Sequence, residues 1–458
     1  MYNNIITLTD SYKVSHYKQY PPGTQYVYSY LEARGGDFDK TVFFGLQYII
    51  KKYLTTPITM EMLEEARLFW TAHFGSDMLN YDGWKYIIDV HNGYLPIRIN
   101  AVKEGTLVDT GNVLMTIENT DPKVPWLTNW LETLLMQVWY PTTVATQSYY
   151  MKERLRYYLE KSGNPYQIDF KLHDFGFRGS TSVESAGIGG AAHLVNFMGT
   201  DTSPALLMAM KYYGADMPGF SIPAAEHSTI TSWGKDREYD AYKNMLEQYP
   251  TGMVAVVSDS YDLYNAVSNI WGSAIREQVL HRDGVLVIRP DSGDPLSVLP
   301  TVFNLAKEKF GGALNEKGYW TLPDKIRFIQ GDGIDRISLS YLLLTLTDKR
   351  WSIDNIAFGS GGGLLQKVNR DTCKFAIKCS SITINGKDQV VFKDPKTDSG
   401  KRSKKGRFAL VKGVDDNFIT ISATTNGFIG LLEPVYYNGN LVRDQKFSEI
   451  KAIAAGAE

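Results

Sequence analysis

MVAVVSDSYDLYNAVSNIWGSAIREQVLHRDGVLVIRPDSGDP (253–295) reads as one strand–helix–strand unit. Its two apolar runs, MVAVV and VLVI, lead into aspartates at Asp259 and Asp291. Runs without polar alternation suit strands covered on both faces, as parallel strands are. Between them, YDLYNAVSNIWGSAIREQVL (261–280) is long enough to be the crossover helix that parallel strands need. The same device recurs on either side. IDFKLHDF ends at Phe175, LVNFMGTD at Asp201, FSIPAAEH at His227, KIRFIQGD at Asp332 and NIAFGSGGG at Gly363. The polar tips at 173, 201, 227, 259, 291, 332 and 361 lie 26 to 41 residues apart, against roughly 30 for a βα repeat. SPALLMAMKYY (203–213) and VLPTVFNLAKEKF (298–310) supply further helices. Seven such units predict an α/β fold with a parallel sheet, closed as a barrel rather than left open, and ligands at the C-terminal strand ends.

The flanks read differently. GLQYIIKKYL (45–54) places Leu46, Ile49, Ile50, Tyr53 and Leu54 on one helical face. PWLTNWLETLLMQVWY (125–140) repeats Trp126, Trp130, Leu134 and Val138 every four residues, predicting a buried helix that Pro141 ends. Residues 95–120 alternate apolar and polar positions between glycines, as short antiparallel strands do. After Cys379, hairpins are expected at Asn385-Gly386 and Asn438-Gly439. The expected organisation is an N-terminal α+β domain (1–165), an α/β barrel (166–378) and a C-terminal β-rich segment (379–458) that packs with the first domain.

The 458 residues carry 48 basic and 50 acidic side chains, a net charge of -2. That balance excludes a protein that coats nucleic acid, which needs a basic excess or stripe. With 43% hydrophobic and 21% charged residues, a large core can form and disorder is not the theme. No stretch approaches the roughly 20 apolar residues that span a bilayer. The start, MYNNIITLTD, lacks the basic-then-apolar pattern of a secretory signal. Cys373 and Cys379 make neither a disulfide framework nor a zinc knuckle. A cytoplasmic protein is expected.

The tips carry the chemistry. GSGGG (359–363) lets backbone N–H groups converge on an anion, or simply makes a tight loop; it is neither a P-loop nor a dinucleotide fingerprint. Lys367, Arg370, Lys378 and the run GKRSKKGR (400–407) bring cations to the same part of the chain. Asp259, Asp291 and Asp332 end three barrel strands, where carboxylates can cap turns, orient ribose hydroxyls or hold Mg²⁺. Arg289, two residues before Asp291 on a strand, points to the same face. His227 stands at a tip beside them. Phe175 offers a flat ring for stacking or core packing, and Arg178 a cation. Asp201, when ionised, accepts from an amide NH₂ and repels a carboxylate.

In order, TDSYKVSHYKQYPPGT (9–24), LHDFGFRG, HLVNFMGTDT, IPAAEHSTI, VVSDSYD, IRPDSG, IQGDG, WSIDNIAFGSGGGLLQK and KRSKKGR resemble the nicotinamide phosphoribosyltransferase family over nearly the whole chain. The resemblance implies a type II phosphoribosyltransferase with an irregular α/β barrel, a homodimer with shared active sites, and nicotinamide, phosphoribosyl pyrophosphate and ATP as ligands. It implies nicotinamide held between Phe175 and Tyr12 of a second copy, with Asp201 accepting from the amide and Arg178 beside base and phosphate. His227 becomes the residue phosphorylated by ATP. Asp291 and Arg289 hold the ribose and reaction centre, supported by Asp259. Gly331, Asp332, Gly361, Gly362 and Arg370 contact ribose and 5′-phosphate, and Lys378, Lys393, Lys404 and Lys405 surround the pyrophosphate or ATP phosphates. Mg²⁺ is expected to be held mainly by pyrophosphate and water. Two departures stand out: Ala376 replaces a serine of animal members, and the segment after Glu32 is shorter. A nicotinate phosphoribosyltransferase and a catalytically silent dimeric binding protein are the alternatives.

Overall fold

The computed structural model describes residues 3–397, 402–425, 427 and 429–456. Gly400 and Lys401 of the basic run lie outside the described residues. The chain forms two compact units, one of residues 1–146, 209–215 and 369–458, the other of residues 147–208 and 216–368. The change from one to the other falls inside the helix Trp139–Ser162. No described helix is long and apolar enough to cross a membrane.

The second unit is the barrel. Six parallel strands run in the order Gly199–Thr200, Leu172–Asp174, Ile356–Ser360, Ile326–Gln330, Asp283–Arg289 and Thr251–Val257. The two edge strands are joined through the segment 220–225. Phe220 N–H donates to Met198 O at 2.7 Å and its carbonyl accepts from Thr200 N at 3.0 Å. Farther along, Pro223 O and Ala225 N bond to Ala255 on the opposite edge, both at 2.9 Å. This stave, expected as a seventh regular strand, is irregular because Pro223 has no N–H for a ladder. Ala255, Val287 and Ile329 form the inner layer, and Ile222 of the stave packs on it with Phe175, Val285 and Ala357. The expected barrel is present, with one irregular seam.

The first unit is built on a seven-stranded antiparallel sheet drawn from both ends of the chain. Its order is Lys387–Val390, Phe375–Ile384, Thr24–Ala33, Val113–Asn119, Ile97–Ala101, Glu433–Tyr437 and Asn440–Leu441. Both expected hairpins form. Asn385 and Gly386 take φ of 48° and 74°, and Asn438 and Gly439 of 46° and 90°, the left-handed pair that a two-residue turn demands. The buried helix expected over 125–140 is instead two short pieces, Leu127–Trp130 and Glu132–Met136. Pro141 does not end a helix but sits in the first turn of Trp139–Ser162, where a missing N–H costs nothing. The expected apolar face is nonetheless buried: Trp126 and Trp130 meet Trp84 edge-on at 4.8 and 5.1 Å.

Candidate active site

At the C-terminal ends of the barrel strands lies an open cleft of about 680 Å³. Of the expected site residues, Phe175, Arg178, Asp201, Arg289, Asp291, Gly331, Asp332, Gly361 and Gly362 line it. Phe177, Gly179 and Thr202 line it too, and sequence reasoning passed over them. Phe177 and Gly179 sit in the HDFGFRG motif, and Thr202 directly follows Asp201.

Phe175 is placed by its backbone and by two glycines. Its N–H donates to Ser360 O at 2.9 Å, holding it against the neighbouring strand. A Cβ on Gly359 would stand 2.0 Å from the Phe175 ring and one on Gly331 3.4 Å from it. Those glycines are where the ring lies on bare main chain, so the aromatic face is seated on the barrel's inner layer. Across the cleft wall, Asp201 N–H bonds to Asp174 O at 2.9 Å, and the Asp201 carboxylate accepts a hydrogen bond from Ser221 Oγ. Ser221 belongs to the irregular stave, so the barrel seam reaches Asp201 directly.

Arg289 and Asp291 point to one face, as their spacing predicted. Arg289 Nε and Nη2 donate to the two carboxylate oxygens of Asp291 at 3.1 and 2.9 Å. This two-pronged geometry is the strong form of a carboxylate–guanidinium pair. Gly361 and Gly362 open the short helix Gly362–Leu365, in which the Leu364 and Leu365 N–H groups donate to Gly361 O at 3.0 and 3.2 Å. A Cβ at Gly362 would meet nothing within 4 Å, so this wall leaves room for a bulky ligand. Lys367, by contrast, pairs with Asp335 at 2.9 Å.

His227 and Asp259 are brought together but are not among the residues lining the cleft. His227 Nε2 lies 3.0 Å from Asp259 Oδ1, with the histidine side chain 45% exposed and the aspartate 4%. A buried carboxylate on one ring nitrogen fixes the tautomer and leaves Nδ1 as the nitrogen with a lone pair.

The remaining expected residues belong to the first unit. Lys378 stands half-buried with Arg34, Lys393 and Arg370 acting on it. Burial holds its pKa below the usual lysine range; Glu132 pulls it up, and Arg34, Lys393 and Arg370 push it down. Lys404 forms an ion pair with the buried Glu32, which also takes Arg34 at 2.7 Å. Lys405 lies 5.5 Å from the centre of the Phe392 ring, and Lys393 N–H donates to Ser403 Oγ at 2.8 Å. Arg402 and Arg407 of the same basic run pair with Asp394 and Glu118. Tyr12, 61% exposed, meets His16 edge-on at 5.0 Å. Among the described residues, no group of three or more His, Cys, Asp or Glu is arranged to hold a metal ion.

The sequence pattern of the nicotinate phosphoribosyltransferase (NAPRTase) family matches residues 170–440, and that of the nicotinamide phosphoribosyltransferase N-terminal domain matches residues 4–99. A nicotinamide phosphoribosyltransferase of Xanthomonas campestris pv. campestris (strain 8004) is 48% identical over 468 residues, covering 99% of each chain. One from Acinetobacter baylyi is 31% identical over 487 residues, covering 98% of this chain and 96% of the relative. Among solved structures, nicotinate-nucleotide pyrophosphorylase from Pyrococcus furiosus superposes with a TM-score of 0.60 at 14% identity, covering 99% of this chain and 95% of that one. Human nicotinic acid phosphoribosyltransferase gives 0.59 at 14% identity, covering 98% and 93%. These two likenesses show the fold.

Proposed function

Because the chain belongs to the nicotinate phosphoribosyltransferase family, and is therefore a pentosyltransferase, we propose that its acceptor is nicotinamide and its product nicotinamide mononucleotide, made for NAD salvage. The observation that carries this reading is the presence, in one cleft, of a flat aromatic ring, Phe175, and an exposed carboxylate, Asp201. A carboxylate accepts from the amide NH₂ of nicotinamide and repels the carboxylate of nicotinate. The 48% identity to a nicotinamide phosphoribosyltransferase supports the same base.

The chemistry follows from the residues. The pyridine nitrogen, unprotonated at neutral pH, forms a bond to the anomeric carbon of phosphoribosyl pyrophosphate. The bond from that carbon to the pyrophosphate oxygen breaks, and its electron pair leaves with pyrophosphate. No proton moves, so no general base is needed. Positive charge grows on the ribose ring, where Asp291, oriented by Arg289, stabilises it. Gly331, Asp332, Gly361, Gly362 and Arg370 receive the ribose and 5′-phosphate, with Arg178 beside the base. Lys378, Lys393, Lys404 and Lys405 are assigned to the pyrophosphate or ATP phosphates. Mg²⁺ takes oxygen ligands and keeps substrate phosphates and water in its shell, so single carboxylates such as Asp291 and Asp332 suit it without a protein cage. When bound, it neutralises the leaving pyrophosphate.

ATP enters through His227. The Asp259 partner leaves Nδ1 to attack the γ-phosphorus; the bond from that phosphorus to the bridging oxygen breaks and ADP leaves, and water later cleaves the N–P bond to release phosphate, so that the phosphohistidine couples ATP hydrolysis to product formation. Tyr12 of a second copy would cover the nicotinamide face opposite Phe175, which its exposure permits. Incubation with nicotinamide, phosphoribosyl pyrophosphate and Mg²⁺ is expected to yield nicotinamide mononucleotide, faster with ATP. No product above background overturns the reading, and competition between nicotinamide and nicotinate tests the base.

A further inference from the structure

The strand Leu172–Asp174 ends in a carboxylate that none of these steps uses. Asp174 is completely buried. Its Oδ1 accepts the Gly176 N–H at 2.7 Å, and its main-chain carbonyl accepts the Asp201 N–H at 2.9 Å. One residue therefore ties the Phe175–Gly176 turn to Asp201. Its other carboxylate oxygen, Oδ2, has only the buried Thr202 hydroxyl beside it, and the two make no hydrogen bond of good geometry. Helix Val183–Leu194 presents Gly190 to this oxygen, and a Cβ there would stand 2.8 Å from Oδ2. A buried carboxylate with one oxygen so poorly partnered is costly. An asparagine would cap the same turn without the charge, so capping alone does not account for an aspartate.

We propose that Asp174 is the specificity-determining positioning residue for the base, holding the aromatic and acceptor walls at fixed spacing and placing a second negative charge behind Asp201. The ligand class it selects is the neutral pyridine carboxamide, and the class it rejects is the anionic pyridine carboxylate. This rests on the proposed reaction. Burial pushes the Asp174 pKa up to about 6; the Gly176 N–H and then the Thr202 hydroxyl pull it down, and the Asp201 charge adds a smaller push upward. The groups facing it are Asp201 and Thr202 from the loop after Gly199–Thr200 and Gly190 from the helix, whereas His173, next to it on the strand, turns to the other face with Phe175. Burial holds the His173 ring below the usual histidine range. The second charge is accordingly present above about pH 6 and fades below it.

The test uses the full-length enzyme with phosphoribosyl pyrophosphate and Mg²⁺, measuring the KM for nicotinamide, the inhibition constant of nicotinate, and the KM for phosphoribosyl pyrophosphate. Asp174→Asn keeps the Gly176 acceptor and loses the charge, so the preference for nicotinamide over nicotinate is expected to fall about tenfold at neutral pH. Asp174→Ala loses both, and its nicotinamide KM is expected to rise about tenfold while the phosphoribosyl pyrophosphate KM holds. In the unsubstituted enzyme the preference narrows as pH falls through about 6, and in Asp174→Asn it stays flat. An unchanged preference in Asp174→Asn, a flat wild-type profile, or a parallel rise of both KM values overturns the proposal. No product from either base overturns the reaction on which it rests, and the proposal with it.

Discussion

Arg289 grips Asp291 with two parallel hydrogen bonds, of 3.1 and 2.9 Å, across only one intervening residue, Pro290. Proline fixes φ at that intervening position, so the pair is oriented by the backbone as well as by charge. On the proposed reaction, the ribose would meet an aligned carboxylate already partnered by a cation.

This pairing makes Asp291→Asn informative. The amide keeps the shape but cannot stabilise growing positive charge, and a kcat loss of about 10²-fold is expected, as for other electrostatic groups that act mainly in the transition state. The nicotinamide KM is expected to change little. Steady-state kinetics at saturating phosphoribosyl pyrophosphate check it, and a variant whose KM alone moves would assign Asp291 to binding.

The His227–Asp259 contact at 3.0 Å predicts which nitrogen is phosphorylated. Nε2 faces the buried carboxylate, so the phosphoryl group is expected on Nδ1. Isomer-selective phosphohistidine antibodies, or ³¹P spectra of the ATP-treated protein, distinguish the two. His227→Ala is expected to abolish the ATP response while slow transfer persists, and Asp259→Asn to weaken that response by about tenfold or more through loss of the fixed tautomer. A Nε2 adduct would refute the assigned orientation.

Gly359→Ala tests how the aromatic wall is seated. The new methyl would stand 2.0 Å from the Phe175 ring, so the ring must move. Overpacking of this kind destabilises by about 1–3 kcal/mol. Thermal unfolding should record that loss, and the nicotinamide KM should rise because the stacking face is displaced. A variant with wild-type KM would mean that Phe175 does not bind the base.

Lys378 gives a prediction in pH. Its pKa is held below the usual range by burial and by Arg34, Lys393 and Arg370, so it loses its charge at lower pH than an ordinary lysine. Pyrophosphate affinity, measured calorimetrically, should therefore fall earlier on the alkaline side in the wild type than in Lys378→Arg, whose guanidinium stays charged. Identical alkaline profiles would remove Lys378 from the phosphate site.

Much of the barrel is legible because its chemistry is local. In MVAVV the four residues after the exposed Met253 are buried, covered on both faces of the sheet, and an apolar stretch with a polar end says so without its neighbours. The stave 220–225 is less legible because Pro223 breaks its ladder and only two positions pair. The basic run shows the limit most clearly. Its lysines and arginines read as cations awaiting phosphate, yet Lys404 and Arg407 meet Glu32 and Glu118, acids hundreds of residues earlier that no local pattern connects to them. Asp174 was hidden for another reason. Next to Phe175 it reads as part of the motif's polar tip, whereas folding turns it inward.

The first unit's sheet has a consequence for synthesis. Strand Thr24–Ala33 pairs with Phe375–Ile384, and Ile97–Ala101 with Glu433–Tyr437. Gln47 donates to Tyr212 O and Gln445 O, and accepts from Gln445 N. While the ribosome is still making the barrel, the early strands wait without these partners and present open edges, which are aggregation-prone. A nascent chain stalled before residue 369 would lack the strands beside Thr24–Ala33 and Ile97–Ala101, and so would be a client for chaperones until its last strands emerge.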